Sequence, residues 1–244
     1  MAVEKAYKLV AVQEGISNSQ AKSMIDRGLV YVGNKKVMIA RGELDSKTIF
    51  RITKIEHPKP IFENENIVVV DKPAYVNSDE IEREFKPAKL LHRLDRETSG
   101  VLMLVKNEEF REKAIKEFKQ DKVYKEYVAW VEGIVSEPVE VDKPIVTQKK
   151  NNKAYSNVSS KGKPAKTEFF PDIVSGGKTK LKCIIHHGRT HQIRTHLRYI
   201  EHPIIGDEQY GGRRAKRVML HALKVKLLGM EFTAPEPKIF TTFQ

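Results

Sequence analysis

The chain's 244 residues suffice for one large domain or for a medium domain plus a small one, and either can bury an adequate core. Its 44 Lys and Arg against 32 Asp and Glu leave a formal net charge of +12, so the expected partner is a polyanion. A single cysteine excludes an internal disulfide and a cysteine zinc quartet; with no signal-peptide core and no apolar run near the ~20 residues of a membrane span, we expect a soluble, cytoplasmic monomer needing neither metal nor cofactor.

Residues 1 to 54 read as a small separate unit. Ser17 and Gln20 form a capping box that opens a helix, its apolar positions Ala21, Met24 and Ile25 share one face, and Gly28 is placed to end it. Val30-Tyr31-Val32 reads as a strand, Gly33-Asn34 as a turn and Val37 to Ile39 as the return strand. Lys22, Arg27, Lys35 and Lys36 make one side of this unit basic. A small solvated cap could carry the same charges. Taken together, however, the helix, the turn and the basic residues resemble the S4 RNA-binding module, which makes those four residues candidate RNA contacts.

Residues 55–60, with His57-Pro58-Lys59-Pro60, read as a proline-stiffened linker. Ile61 to Ala74 reads as one buried strand that ends in the turn Asp71-Lys72-Pro73-Ala74. Then comes His92-Arg93-Leu94-Asp95-Arg96-Glu97-Thr98-Ser99-Gly100, a polar loop fixed to Val101–Val105, whose five apolar residues read as a strand buried on both faces. Asp95 therefore stands at a rigid edge, and the flanking Arg93 and Arg96 are expected to lower its pKa and keep it ionised near neutrality. Such a group suits a nucleophile or base and makes a poor general acid. Taken alone, an Asp among arginines in a loop reads first as a structural ion pair.

Asn107 is placed to cap a helix that turns Phe110, Ala114, Ile115 and Phe118 to the core. Lys122 to Glu132 alternates as a strand and puts Tyr127 on the face of Lys125 and Ala129; a tyrosine in a strand is ordinarily packing. Residues 148 to 166 are polar and lysine-rich and read as a long hairpin loop or edge ribbon. Between Gln148 and Lys226 stand 18 basic and 5 acidic residues, so positive charge concentrates in the second half. Cys183 lies in an apolar run and reads as a buried hydrophobe.

The run Gly188 to Leu197 has helical spacing, with Thr190 as candidate cap, Ile193, Leu197 and Ile200 on a core face and His191, Arg194 and Arg198 on another. The histidines fit a metal site poorly: His187 and His191 straddle Gly188, and His191 and His196 point to different faces. His202-Pro203-Ile204-Ile205-Gly206-Asp207, Tyr210-Gly211, Leu220-His221-Ala222 and Phe232-Thr233-Ala234-Pro235 complete the pattern.

From residue 61 to about 235 these blocks, in this order, resemble the RluA-type pseudouridine synthases. The stretch Tyr75-Val76-Asn77-Ser78 departs from that pattern, standing where the family has a glycine-containing continuation. The resemblance implies an α+β catalytic domain over 61–244 with a mixed, mostly antiparallel central sheet. It also implies the reaction: the N-glycosidic bond of a uridine in RNA is cut, the base turns, and carbon replaces nitrogen in the bond to the sugar. By the same resemblance Asp95 is the catalytic residue, either attacking the anomeric carbon or removing the neighbouring proton. Arg194 pairs with it, and Tyr127 stacks on the target base. Arg93 is the candidate to fill the space left by the swung-out uridine. Arg189, His191 and Gln192 would line the RNA side, and Leu220 would lie beneath the base. A hydrolytic glycosidase would instead want two cooperating carboxylates, one of raised pKa.

An S4-like module favours large-subunit (23S) ribosomal RNA as substrate, with transfer RNA as the alternative. A catalytically silent RNA-binding assembly factor belongs to a different class, and the presence of Asp95, Tyr127 and Arg194 together argues against it. A DNA glycosylase is a third reading, which a requirement for the 2′-hydroxyl would exclude.

Overall fold

The computed structural model describes residues 2–150 and 153–241. The chain divides between Glu56 and His57 into two compact units. The first contains β1 (Val3–Lys5), α1 (Ala6–Glu14), α2 (Asn18–Asp26), β2 (Val30–Val32), β3 (Lys35–Lys36), β4 (Glu43–Asp45) and β5 (Arg51–Ile52). β1 pairs with β4, and β2 lies between β3 and β5. The Ser17 hydroxyl accepts the Gln20 N–H at 3.2 Å and the Gln20 side chain accepts the Ser17 N–H at 2.9 Å, the expected capping box. Helix α2 then buries Ala21 and Ile25 against Ala6, Val10, Val30 and Phe50 and ends at Gly28, where φ is +71°. The return strand falls earlier than expected, at Lys35–Lys36, with Val37 to Ile39 beyond it. Helix α1 carried no recognisable start signal, because its N-cap is Lys5, which makes no capping hydrogen bond.

The second unit contains β6 (Lys59–Glu63), β7 (Ile67–Lys72), α3 (Ser78–Glu84), β8 (Lys89–Leu90), β9 (Ser99–Val105), α4 (Glu108–Lys119), β10 (Tyr124–Glu132), β11 (Val139–Asp142), β12 (Ile145–Lys150), β13 (Lys153–Val158), β14 (Lys166–Ser175), β15 (Lys178–Ile185), α5 (Gln192–Tyr199), β16 (Leu220–Leu227), β17 (Met230–Thr233) and α6 (Lys238–Thr241). A ten-stranded sheet runs β11-β14-β15-β10-β16-β9-β7-β6, with β17 on β16 and β8 on β9. Among the described residues only β16 and β9 pair in parallel, His221 with Ser99 and Ala222 with Gly100, so the sheet is mixed and mostly antiparallel, as expected of this α+β fold. β12 and β13 form a separate two-stranded ribbon. Among the described residues no helix is long and apolar enough to cross a membrane.

Two expectations need correction here. Lys59 and Pro60, read as linker, belong to β6; a proline is tolerated there because β6 ends the sheet and owes no hydrogen bond on its outer side. The stretch from Ile61 to Ala74 is two strands rather than one, because Asn64 Oδ1 accepts the N–H groups of Asn66 and Ile67 at 2.9 and 3.0 Å and folds the chain back.

The core positions the functional loops. All seven residues of β9 are buried, and each apolar side chain in such a strand contributes roughly 1.5–3 kcal/mol, so the loop before it inherits one fixed end. That fixed end is Gly100. Its φ is +113°, and a Cβ there would overlap the backbone of Ala222. Only glycine lets β9 cross so close to β16. One core cluster centres on Trp130, Phe169, Leu181, Leu197 and Phe240; the other holds Ile67, Val69, Val101, Met103, Val225 and Phe232, with Phe110 and Phe118 of α4 packed against it.

Candidate active site

Three devices hold the loop that carries Asp95. The Ser78 hydroxyl bridges both backbone groups of Leu94, each at 3.1 Å. The Tyr75 N–H donates to Arg96 O at 2.6 Å. The buried Lys72 ammonium donates to Val76 O, Pro73 O and Arg96 O at 2.8, 3.0 and 3.3 Å, which matches its three N–H donors to three carbonyls. Burial pulls the Lys72 pKa down to about 7, opposed chiefly by the charge of Glu97. Tyr75 explains the departure from the family pattern: it has the φ of +70° that glycine ordinarily supplies, and its hydroxyl donates to Lys216 O at 2.6 Å.

Against this loop α5 places Arg194. The guanidinium is 3% exposed. Its Nε and Nη2 donate to Asp207 at 2.6 and 2.9 Å, Nη1 donates to Asp95 Oδ2 at 3.3 Å, and Nη2 also reaches Gln209 Oε1 at 3.3 Å. Burial opposes the Arg194 charge, but the hydrogen bonds and charge of Asp207 outweigh it and raise the pKa further. Asp207 thus takes the bidentate pair, and Asp95, more loosely held and 23% exposed, keeps an open side.

The partners of Asp95 differ from those expected. Arg93 pairs with Asp79 at 3.1 Å and Arg96 with Glu97 at 2.8 Å, so neither neighbour in sequence neutralises Asp95. Local pairing decides this: Asp95 opens a turn closed by the Thr98 N–H donating to Asp95 O at 3.1 Å, its two neighbours take other carboxylates, and α5, a hundred residues on, supplies the guanidinium instead.

Arg93, Asp95, Tyr127, Arg189, His191, Gln192, Arg194 and Leu220 all line one cleft, together with Leu94, Thr98, Ile185 and Ile193. The cleft holds about 440 Å³ of empty space, its open mouth included. The half-buried Tyr127 lines its wall; burial first, then the charge of Asp95, raises its pKa, so it stays a neutral phenol. Leu220 is buried and supplies an apolar surface. Gln192 is spent within the chain: its amide donates to Lys166 O and Thr167 Oγ1 and accepts the Arg189 N–H. It shapes the rim and has little left to offer RNA.

Helix α5 starts differently from the expectation as well. Its N-cap is His191, at φ +54° and without a capping side chain, rather than Thr190. His196 is committed to Thr167 Oγ1 and Lys143 O, at 2.8 and 2.9 Å. Cys183 is fully buried, as read from its apolar run. Lys72, Asp207, Gln209 and Tyr210 had no role assigned from sequence. A lysine ending an apolar strand was the available signal for Lys72, and for Asp207 and Tyr210 it was their place in the blocks that resemble the family; Gln209 touches a partner that no local spacing reveals. In the first unit, Lys22 lies 4.3 Å from the centre of the Tyr7 ring, Lys35 is exposed, Arg27 and Lys36 are half-buried, and the Lys36 stem packs along Gly28.

A buried guanidinium thus holds a partly exposed carboxylate in a cleft that Arg93 and Arg189 also line. Residues 66–199 match the family model described as RNA pseudouridylate synthase, and the chain belongs to that family, in its RluA-type branch. It is similar to a Helicobacter pylori protein named as an uncharacterized RNA pseudouridine synthase, 52% identical over 98% of this chain and 99% of the relative. A Pasteurella multocida protein named ribosomal large subunit pseudouridine synthase D is 27% identical over 92% of this chain and 85% of the relative. The structure of human RNA pseudouridylate synthase domain containing 1 is also similar, with a TM-score of 0.64 and 27% identity over 75% of this chain and 84% of that one. The chain is an RNA pseudouridine synthase, an isomerase acting on RNA.

Proposed function

We propose that the substrate is one or more uridines of large-subunit (23S) ribosomal RNA, with Asp95 as the catalytic residue and the first unit as an S4-like RNA-binding domain. The observation that carries the catalytic assignment is the Asp95 carboxylate in the cleft, 3.3 Å from Arg194 and beside Tyr127. Asp95 acts on the ribose, and Arg194 orients it. Tyr127 stacks on the uracil over Leu220, and Arg189 and His191 face the RNA at the rim. Arg93, 67% exposed at the mouth, fills the gap left by the swung-out uridine and so offsets part of the few kcal/mol that unstacking costs.

Support for the ribosomal substrate comes from relatives named for the large ribosomal subunit. In the first unit, Lys22, Arg27, Lys35 and Lys36 accompany a capped helix and a short hairpin, as in an S4 module. Chemical mapping of pseudouridine in ribosomal and transfer RNA, from cells with and without the protein, tests the substrate. Loss of signal at defined 23S positions is expected; loss confined to transfer RNA would overturn the ribosomal assignment.

A further inference from the structure

We propose that Gln209 and Tyr210 are positioning residues that tie the β12–β13 ribbon to both side chains facing the Asp95 carboxylate. This deepens the reading above and rests on Asp95 being the catalytic residue. The two oxygens of Asp95 have separate neighbours: Oδ2 meets Arg194 Nη1 at 3.3 Å, and Oδ1 lies 3.9 Å from His191 Nε2. Each neighbour is held in turn by one of two consecutive residues. Gln209 Oε1 accepts from Arg194 Nη2 at 3.3 Å, and Tyr210 Oη lies 2.8 Å from His191 Nδ1. The Tyr210 ring also lies under the Arg194 guanidinium, 4.8 Å from its carbon, and edge-on to His191.

Both residues are anchored to β13. The Gln209 amide donates to Ala154 O at 2.7 Å, and the Ser156 N–H donates to Tyr210 Oη at 2.8 Å. Between them, the Tyr155 ring stacks on Tyr210, with centroids 5.1 Å apart and planes 4° from parallel. Three successive residues of the ribbon, 154 to 156, thus reach the Asp95 carboxylate through two successive residues of the body.

The proton on His191 follows from this chain of contacts. A backbone N–H can only donate, so Tyr210 Oη accepts from Ser156 and is free to donate its own proton to His191 Nδ1. Burial lowers the His191 pKa, so the ring is neutral and its proton sits on Nε2, aimed at Asp95. The other tautomer would set a lone pair against a carboxylate. Tyr210 therefore fixes which ring nitrogen His191 turns to Asp95.

The tests are steady-state kinetics on a transcript carrying a mapped uridine, and ¹⁵N-histidine spectra of the full free chain. Tyr210→Phe keeps the stack and removes the hydroxyl. It is expected to lower kcat about tenfold with KM changed less than about twofold, and to move the His191 proton off Nε2. Gln209→Ala, at an exposed position, should lower kcat about fivefold at unchanged KM, and it keeps the proposal testable if Tyr210→Phe does not fold. Tyr155→Ala should lower kcat, and Tyr155→Phe should restore it. Unchanged kcat in both Tyr210→Phe and Gln209→Ala, or a wild-type His191 protonated on Nδ1, would overturn the proposal. Asp95→Asn assayed alongside separates the two levels: an active Asp95→Asn refutes the catalytic assignment, whereas an inactive one beside fully active Tyr210→Phe and Gln209→Ala refutes only the positioning.

Discussion

Arg194 carries two carboxylates on one buried guanidinium, and the division of labour between them is set by distance. Asp207, 1% exposed, takes the close bidentate pair, and Asp95 takes the remaining N–H. Removing the guanidinium leaves Asp207 buried and unpaired, which costs about 3–5 kcal/mol. Arg194→Ala should therefore lose pseudouridine formation and unfold at markedly lower urea than wild type. Arg194→Lys should recover part of the stability and little of the activity, because an ammonium cannot reproduce the fork. Urea titration with an activity assay separates these outcomes, and full activity in Arg194→Ala would remove Arg194 from the site. At this scale the sequence was most informative where candidate residues share one short block: Asp95 and Arg194 each sit in a run that resembles the family, and both line the cleft. It misled at Arg93 and Arg96, because nearness in sequence does not make side chains meet, and at Gln192, whose amide N–H groups go to Lys166 O and Thr167 Oγ1 of β14.

Among elements, the crossing of β9 and β16 matters most, since it places the Asp95 loop beside Leu220. Gly100→Ala should destabilise by roughly 4 kcal/mol or more, a large share of a typical domain's 5–15 kcal/mol, because the added methyl meets the Ala222 backbone at a φ of +113°. A well-folded Gly100→Ala protein, judged by thermal melting, would contradict that account of the crossing. His221 lies in the same junction, fully buried, with Nδ1 2.8 Å from Ser99 Oγ, and burial lowers its pKa from 6.5 to about 4. Between these values the unfolded chain binds the proton and the folded chain does not. Stability from this residue is therefore complete above pH 6.5 and lost as pH falls toward 4, by at most about 3 kcal/mol. The fall in unfolding free energy between pH 7 and 4.5 should be smaller in His221→Asn than in wild type; equal falls would show that His221 does not titrate this way. Helix α2 and strand β9 were legible because a capping box and a five-residue apolar run are local signals. Helix α1 and the short β3 were not, since the first lacks a cap and the second is fixed by pairing rather than by its own residues.

For the molecule as a whole, net charge predicted a polyanionic partner and the order of blocks predicted the family, while the ribbon's role was invisible because it is built from contacts between residues 154–156 and 209–210. In the proposed reading RNA binding and catalysis rest on different groups: a basic surface would hold the polyanion, and the Asp95 carboxylate would perform the chemistry. Asp95→Asn alters the second and leaves the first almost untouched. The most direct measurement is therefore pseudouridine formation by Asp95→Asn, together with its melting temperature and its affinity for the substrate RNA across a salt series. The account predicts a folded protein with wild-type affinity and salt slope and no detectable product. Product formed at a wild-type rate, or a protein that no longer folds, would contradict it.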